Sequence, residues 1–252
     1  MNDQRRSPIQ SLAVMPWKPA PHDLTLPEEE VHLWCAQLQE SAPHLLPTLS
    51  DDERARAQRF RFARDRDQFV TARGMLRSIL AHYLNTTPAS LQFGYEPNGK
   101  PYLMTASSTR SPLCFNVAHT QGLALYAMAW HRALGIDVEQ VRAELADDLT
   151  AQQFLSPSEL QIFRQLPQPL QPVAFFNSWT CKEAYLKALG AGLSVAPHTI
   201  AVELDEEAVP RWIEVSATAA PWSFWQFVLQ PGYVGALAVA GQKAEVRCYT
   251  AS

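Results

Sequence analysis

Apolar residues recur at i, i+3, i+4 and i+7 over Phe69–Tyr83 and again over Phe175–Leu189, the spacing that lines one face of a helix. A helix-start signal precedes each stretch. Leu49-Ser50-Asp51-Asp52-Glu53 reads as a capping box, with Ser50 placed to accept the Glu53 amide and Glu53 to reach back. Leu155-Ser156-Pro157-Ser158-Glu159 repeats it, with Pro157 at the first helical position, where its missing N–H costs nothing. Ser156 stands 106 residues after Ser50, and the same offset lays one helical stretch on the other. A strand-like run follows each helix, Leu91-Gln92-Phe93 in one half and Thr199–Leu204 in the other. Repetition at one offset predicts two similar α+β halves, and two lobes place a natural site in the cleft between them.

Further strand-length runs are Phe115-Asn116-Val117, Leu123–Trp130 and the alternating Leu134–Glu139. Trp222–Val228 and Val234–Ala240 flank a Pro231-Gly232 turn and also read as strands. The predicted class is α+β, a pseudo-twofold duplication of two similar lobes. Pro8, Pro16, Pro19, Pro21 and Pro27 make residues 1–40 read as an extended arm laid on the surface. The first lobe is then 41–132 and the second 133–252.

The chain has 252 residues, 47 % of them apolar, which is enough for a sizeable core and excludes intrinsic disorder. Only 18 % are charged and the net charge is −4, which argues against a generally basic nucleic-acid binder. Local bias exists all the same, because residues 51–77 carry eight arginines and five acids. Cys35, Cys114, Cys181 and Cys248 form no CxxC or zinc-ligand spacing and read as thiols of a reducing compartment. After Arg5-Arg6, Pro8, Gln10 and Pro16 break any export signal, and the longest apolar run, Leu123–Trp130, is well short of a bilayer span. These features predict a cytoplasmic protein with no membrane and no nucleic-acid partner. No glycine-rich phosphate loop of the Walker or dinucleotide kind is present.

Candidate chemistry sits in four places. In Ile136-Asp137-Val138-Glu139 the strand period puts both carboxylates on one face, where they need a cation, a basic side chain or water between them. A hard divalent ion suits such a pair, although a solvated strand edge explains it as well. On a helix Trp179, Glu183 and Lys187 share a face, and Glu183 to Lys187 is the favourable order for an i,i+4 ion pair. Phe115-Asn116-Val117-Ala118-His119 ends in a histidine just past a strand, placed either to meet a phosphate or to hold structure. Asn98-Gly99-Lys100-Pro101 carries a turn signal that needs no function.

In this order and spacing the features match something specific. Gly99-Lys100-Pro101, Phe115-Asn116-Val117-Ala118-His119, Gly135-Ile136-Asp137-Val138-Glu139, Trp179–Lys187 and Gly190-Ala191-Gly192-Leu193 together resemble the 4′-phosphopantetheinyl transferases of the larger, surfactin-synthetase (Sfp) type. The resemblance spans about residues 45–240. It implies a pseudo-dimer of two α+β lobes and an enzyme of the holo-(acyl-carrier-protein) synthase kind. Such an enzyme moves the phosphopantetheine arm of coenzyme A onto a serine of an apo carrier protein and releases 3′,5′-ADP. By the same matching, Asp137, Glu139 and Glu183 hold Mg²⁺, with Mn²⁺ as an alternative. Glu183 is the general base and Lys187 meets the leaving phosphate. Arg56, Gly99, Lys100, Pro101 and His119 bind coenzyme A, Arg73 and Arg77 are weaker candidates, and Lys182 serves packing or phosphate charge. The arginine-rich segment and Arg164 are placed to dock an acidic carrier. The family's usual serine before the histidine is Ala118 here, and Thr120 is the substitute hydroxyl. An internally duplicated chain is expected to work as a monomer. The competing readings are a metal-dependent phosphodiesterase or nuclease, and a non-catalytic coenzyme A-binding scaffold.

Overall fold

The computed structural model describes residues 4–12, 16–38, 42–216, 221–242 and 244–251. In chain order the elements are β1 (Gln4–Leu12), β2 (Lys18–Pro19), β3 (Glu30–Gln37), α1 (Asp51–Gln58), α2 (Ala63–Leu84), β4 (Gln92–Tyr95), β5 (Pro101–Met104), β6 (Leu113–Thr120), β7 (Leu123–Trp130) and β8 (Leu134–Gln140). They continue as α3 (Asp148–Phe154), α4 (Pro157–Gln165), α5 (Gln171–Leu189), β9 (Val202–Leu204), β10 (Pro210–Ser216), β11 (Trp222–Gln230), β12 (Tyr233–Ala240) and β13 (Glu245–Ala251). The fold is α+β, with the two long stretches of helical spacing in α2 and α5, the latter buried on most of its faces, and the two capping boxes opening α1 and α4.

Two sheets lie face to face between the long helices. One has the strand order β8-β12-β11-β1-β10-β9 and the other β2-β13-β3-β7-β6, while β4 and β5 form a separate hairpin. Strand β7 shows why the layers stack this way. Its alternate residues Leu125, Ala127 and Ala129 join Ile136, Val138, Phe227 and Leu237 between the sheets. Ala124, Tyr126 and Met128 point the other way, onto Leu76, Ile79 and Leu80 of α2. A strand covered on both faces needs a nearly continuous apolar run, which is how Leu123–Trp130 reads. On the far side α5 packs Ala184, Tyr185 and Ala188 against Phe224, Ala236 and Ala238.

The amino-terminal stretch differs from the expected surface arm. Strand β1 lies inside the first sheet, antiparallel to β10 and parallel to β11, and β3 lies inside the second, with Val31, Leu33 and Ala36 fully buried. The parts of that stretch at 1–3, 13–15 and 39–40 are outside the described residues. Strand β13 crosses in the opposite direction and pairs in parallel with β3. Each sheet therefore holds a strand from the far end of the chain, and the boundaries drawn at 40 and 132 do not separate the sheets. Pro8 does not prevent this: it fixes φ and removes one donor, and it stands where β1 passes from pairing with β10 to pairing with β11 at Ile9.

Candidate functional site

Gly135 sets the spacing on which the site is built. A Cβ there would run into the carbonyl oxygen of Ala184 and the backbone nitrogen of Ala188, so only glycine lets α5 lie directly on β8. Two residues along the strand, on the same face, comes Asp137. It is 5 % exposed, not at a solvated edge, and accepts a 2.6 Å hydrogen bond from Lys187 Nζ on α5. Lys187 thus bridges to the strand, where an i,i+4 pair with Glu183 was the simpler expectation. We expect Gly135→Ala to force helix and strand apart, costing about 1–3 kcal/mol by overpacking and lowering activity along with Tm. Thermal unfolding and turnover of the variant test this together.

The carboxylates crowd one another. Burial, then the charge of Asp137, raises the proton affinity of Glu139, and the same two causes raise that of Glu183. Thr120 Oγ1 donates to Glu139 Oε2 at 3.2 Å. Asp137 Oδ2 is buried without a hydrogen-bond partner. The three carboxylates share the Lys187 ammonium, Glu139 also feels the Arg142 guanidinium, and the orphaned Asp137 oxygen among them is where a further cation would be accommodated. Among the described residues no three His, Cys, Asp or Glu side chains form a ready-made metal cage. A hard ion such as Mg²⁺ takes one or two carboxylates directly and completes its shell with water and phosphate oxygens, and Asp137, with its unpartnered oxygen, and Glu139 offer such a pair.

Next to this cluster lies a cavity of about 440 Å³, lined among others by Arg56, Phe69, Pro101, His119, Thr120 and Gly122. That volume is in the range that holds small-molecule ligands. Arg56 is exposed, with its guanidinium 5.1 Å from the Phe69 ring centre, and His119 is exposed at the end of β6. Thr120 belongs to both places, lining the cavity and holding Glu139. Asn116, one strand period before Ala118, accepts the Ile136 N–H at 2.9 Å and so satisfies the outer edge of β8 from β6. Ala118 itself is buried between the sheets, away from His119.

Several candidates are placed elsewhere. Gly99 and Lys100 do not line the cavity; Lys100 reaches into the other half of the molecule. Arg77 is 1 % exposed, bonded to Glu53 and to the carbonyls of Pro88 and Leu91, so it is a core residue. Arg73 lines the cavity but pairs with Glu53 and stacks on Phe93. Lys182 is buried against Glu159 at 2.7 Å and the Phe154 carbonyl at 2.9 Å, which leaves it a packing role. Arg164 is exposed and holds Asp148. Sequence reading did not single out Gly135 and Asn116 individually, although both stand inside motifs that it quoted.

Comparison with known proteins shows the family of the chain. The family described as "4'-phosphopantetheinyl transferase, N-terminal" matches residues 33–131, and "4'-phosphopantetheinyl transferase superfamily" matches residues 133–239. A relative, the 4'-phosphopantetheinyl transferase HetI of Nostoc sp. (strain PCC 7120), is 41 % identical over 228 residues, covering 89 % of this chain and 94 % of its own. The chain belongs to the 4′-phosphopantetheinyl transferase superfamily. It is also similar to the 4'-phosphopantetheinyl transferase Sfp of Bacillus subtilis (strain 168), 22 % identical over 202 residues, 80 % of this chain and 87 % of that one. Among the described residues no helix is long and apolar enough to cross a membrane.

Proposed function

We propose that this protein transfers the 4′-phosphopantetheine arm of coenzyme A to a serine hydroxyl of an apo acyl or peptidyl carrier protein, releasing 3′,5′-ADP. The observation that carries the reading is the adjacency of the 440 Å³ cavity to the carboxylate–lysine cluster, joined through Thr120. A ligand with an adenosine phosphate end and a reactive diphosphate needs both. Arg56, His119 and Pro101 border the adenosine end. Asp137, with Glu139 and Glu183 alongside, holds Mg²⁺ or Mn²⁺, which when bound neutralises charge on the diphosphate oxygens.

The carrier serine is a weak nucleophile at its resting pKa, so a base must take its proton as Oγ attacks phosphorus. Glu183 faces the cluster from α5 and is the candidate base. The P–O bond to 3′,5′-ADP breaks, and its electron pair leaves with the nucleotide phosphate. Lys187, beside Asp137, donates a hydrogen bond toward that phosphate.

The halves are duplicated lobes, supported by one motif that recurs in both. In each, the capping-box glutamate accepts the N-cap amide (Ser50 N at 3.0 Å, Ser156 N at 2.7 Å) and also neutralises a buried cation on the long helix, Arg77 or Lys182. The first lobe takes the adenosine end and the second supplies the metal and the base. Duplicated lobes within one chain take the place of two subunits, the reason for reading a monomer, and nothing in the proposed reaction needs a membrane or a nucleic acid.

The test is incubation with coenzyme A, Mg²⁺ and a panel of fatty-acid, polyketide and peptide-synthetase apo carriers, followed by mass spectrometry. One phosphopantetheine arm is expected on the accepted carriers. A chelator should stop transfer and added Mg²⁺ should restore it. No gain on any carrier, or transfer indifferent to chelation, contradicts the reading.

A further inference from the structure

We infer that the β4–β5 hairpin is a positioning device for the transfer site, with Lys100 as its principal residue. The inference rests on the reading of the site given above. The Lys100 ammonium donates to the carbonyls of Lys187 at 2.5 Å and Ala188 at 3.2 Å, in the last turn of α5, and to Leu134 at 3.1 Å, the first residue of β8. Asn98 Nδ2 donates to the carbonyls of Gly190 at 3.0 Å and Ala191 at 3.1 Å. Carbonyls at the end of a helix lack intrahelical partners, and a cation there also meets the negative end of the helix dipole. One side chain thus ties together the two elements that carry Asp137 and Lys187.

The turn is shaped for this. Glu96 N donates to the Lys100 carbonyl at 2.9 Å, Gly99 N donates to the Glu96 carbonyl at 2.8 Å, and Gly99 has φ +82°, a conformation glycine adopts freely. On the receiving side Gly190 and Gly192 have φ +66° and +54°. A Cβ on Gly190 would strike the Glu96 carboxylate, and one on Gly192 would meet Asn98 Cβ at 3.0 Å. Gly99-Lys100-Pro101, Gly135 and Gly190-Ala191-Gly192 are therefore parts of one joint. Burial lowers the proton affinity of Lys100, so its charge is maintained at some cost and the surrounding carbonyls offset it.

The Lys187 carbonyl held by Lys100 belongs to the residue whose ammonium meets Asp137 at 2.6 Å, so slippage of this turn moves the reacting groups. Displacement by a fraction of a turn at a remote support can cost a large factor in rate. Lys100→Met keeps the stem and removes the ammonium. We expect kcat to fall about 10- to 100-fold, with the Kd for coenzyme A, measured by calorimetry without carrier, unchanged. A weakened Kd with kcat intact would instead make Lys100 a coenzyme A contact and overturn the inference, as would an unchanged kcat. Asn98→Ala, at an exposed position, should show the same split more weakly and serves if Lys100→Met does not fold. Hydrogen exchange reads the joint without catalysis: amides 186–191 should exchange faster in both variants. Unchanged protection overturns the joint whatever the fate of the transfer reading, and faster exchange in a protein that modifies no carrier leaves the joint standing and that reading fallen.

Discussion

Asp137→Asn is expected to lower phosphopantetheine transfer by about 10³-fold while Tm stays level or rises. Both halves follow from the same crowding. Asp137 is buried, one of its oxygens is unpartnered, and its charge raises the proton affinity of Glu139 and Glu183. Removing that charge relieves repulsion in the resting protein, although it also ends the ion pair with Lys187. Glu139 and Glu183 resist its charge, which fits a use in the reaction, where diphosphate charge must be met. Turnover at saturating coenzyme A, paired with thermal unfolding, measures both. Near-normal turnover would remove Asp137 from the metal and catalytic set.

The largest loss of stability is expected at Lys182. Its ammonium is 1 % exposed and meets Glu159, which is 0 % exposed. Lys182→Met leaves a buried carboxylate with only the Ser156 amide, and stripping one partner from a buried pair costs about 3–5 kcal/mol, roughly 6–20 °C in Tm for a domain of this size. Glu159→Gln is expected to act in the same direction, since the ammonium then keeps only the Phe154 carbonyl and a neutral amide. Coenzyme A affinity of the folded Lys182→Met protein should be retained. Circular dichroism melts and calorimetry check the two statements, and an unchanged Tm with weakened coenzyme A binding would make Lys182 a phosphate contact after all.

Lys182 and Lys187 also show where reading the sequence stops. Both lie on the same long helix as Glu183, and helical spacing places Lys187 with Glu183. It does not say that Lys187 crosses to Asp137, or that Lys182 turns inward to Glu159, because those partners are 50 and 23 residues away. Ile136-Asp137-Val138-Glu139 was legible because a strand's period of two sends carboxylates and branched side chains to opposite faces whatever the rest of the chain does. The burial of Asp137 was not, since that depends on α5 lying over β8. The arginines of residues 51–77 looked alike in one dimension, yet Arg56 faces the cavity while Arg77 is sealed in the core.

Local periodicity and capping chemistry determined by themselves the two long helices, the capping boxes of the short helices α1 and α4 before them, and the pairing of acids along one strand face. These depend on residues a few positions apart, whose relation the backbone sets directly. Tertiary structure alone decided that β1 and β13 cross into opposite sheets, that Lys100 closes the end of α5 onto β8, and that Thr120 links the cavity to Glu139. Such contacts join positions far apart in the chain, and their energy appears only when two surfaces, each unremarkable alone, exclude water between them.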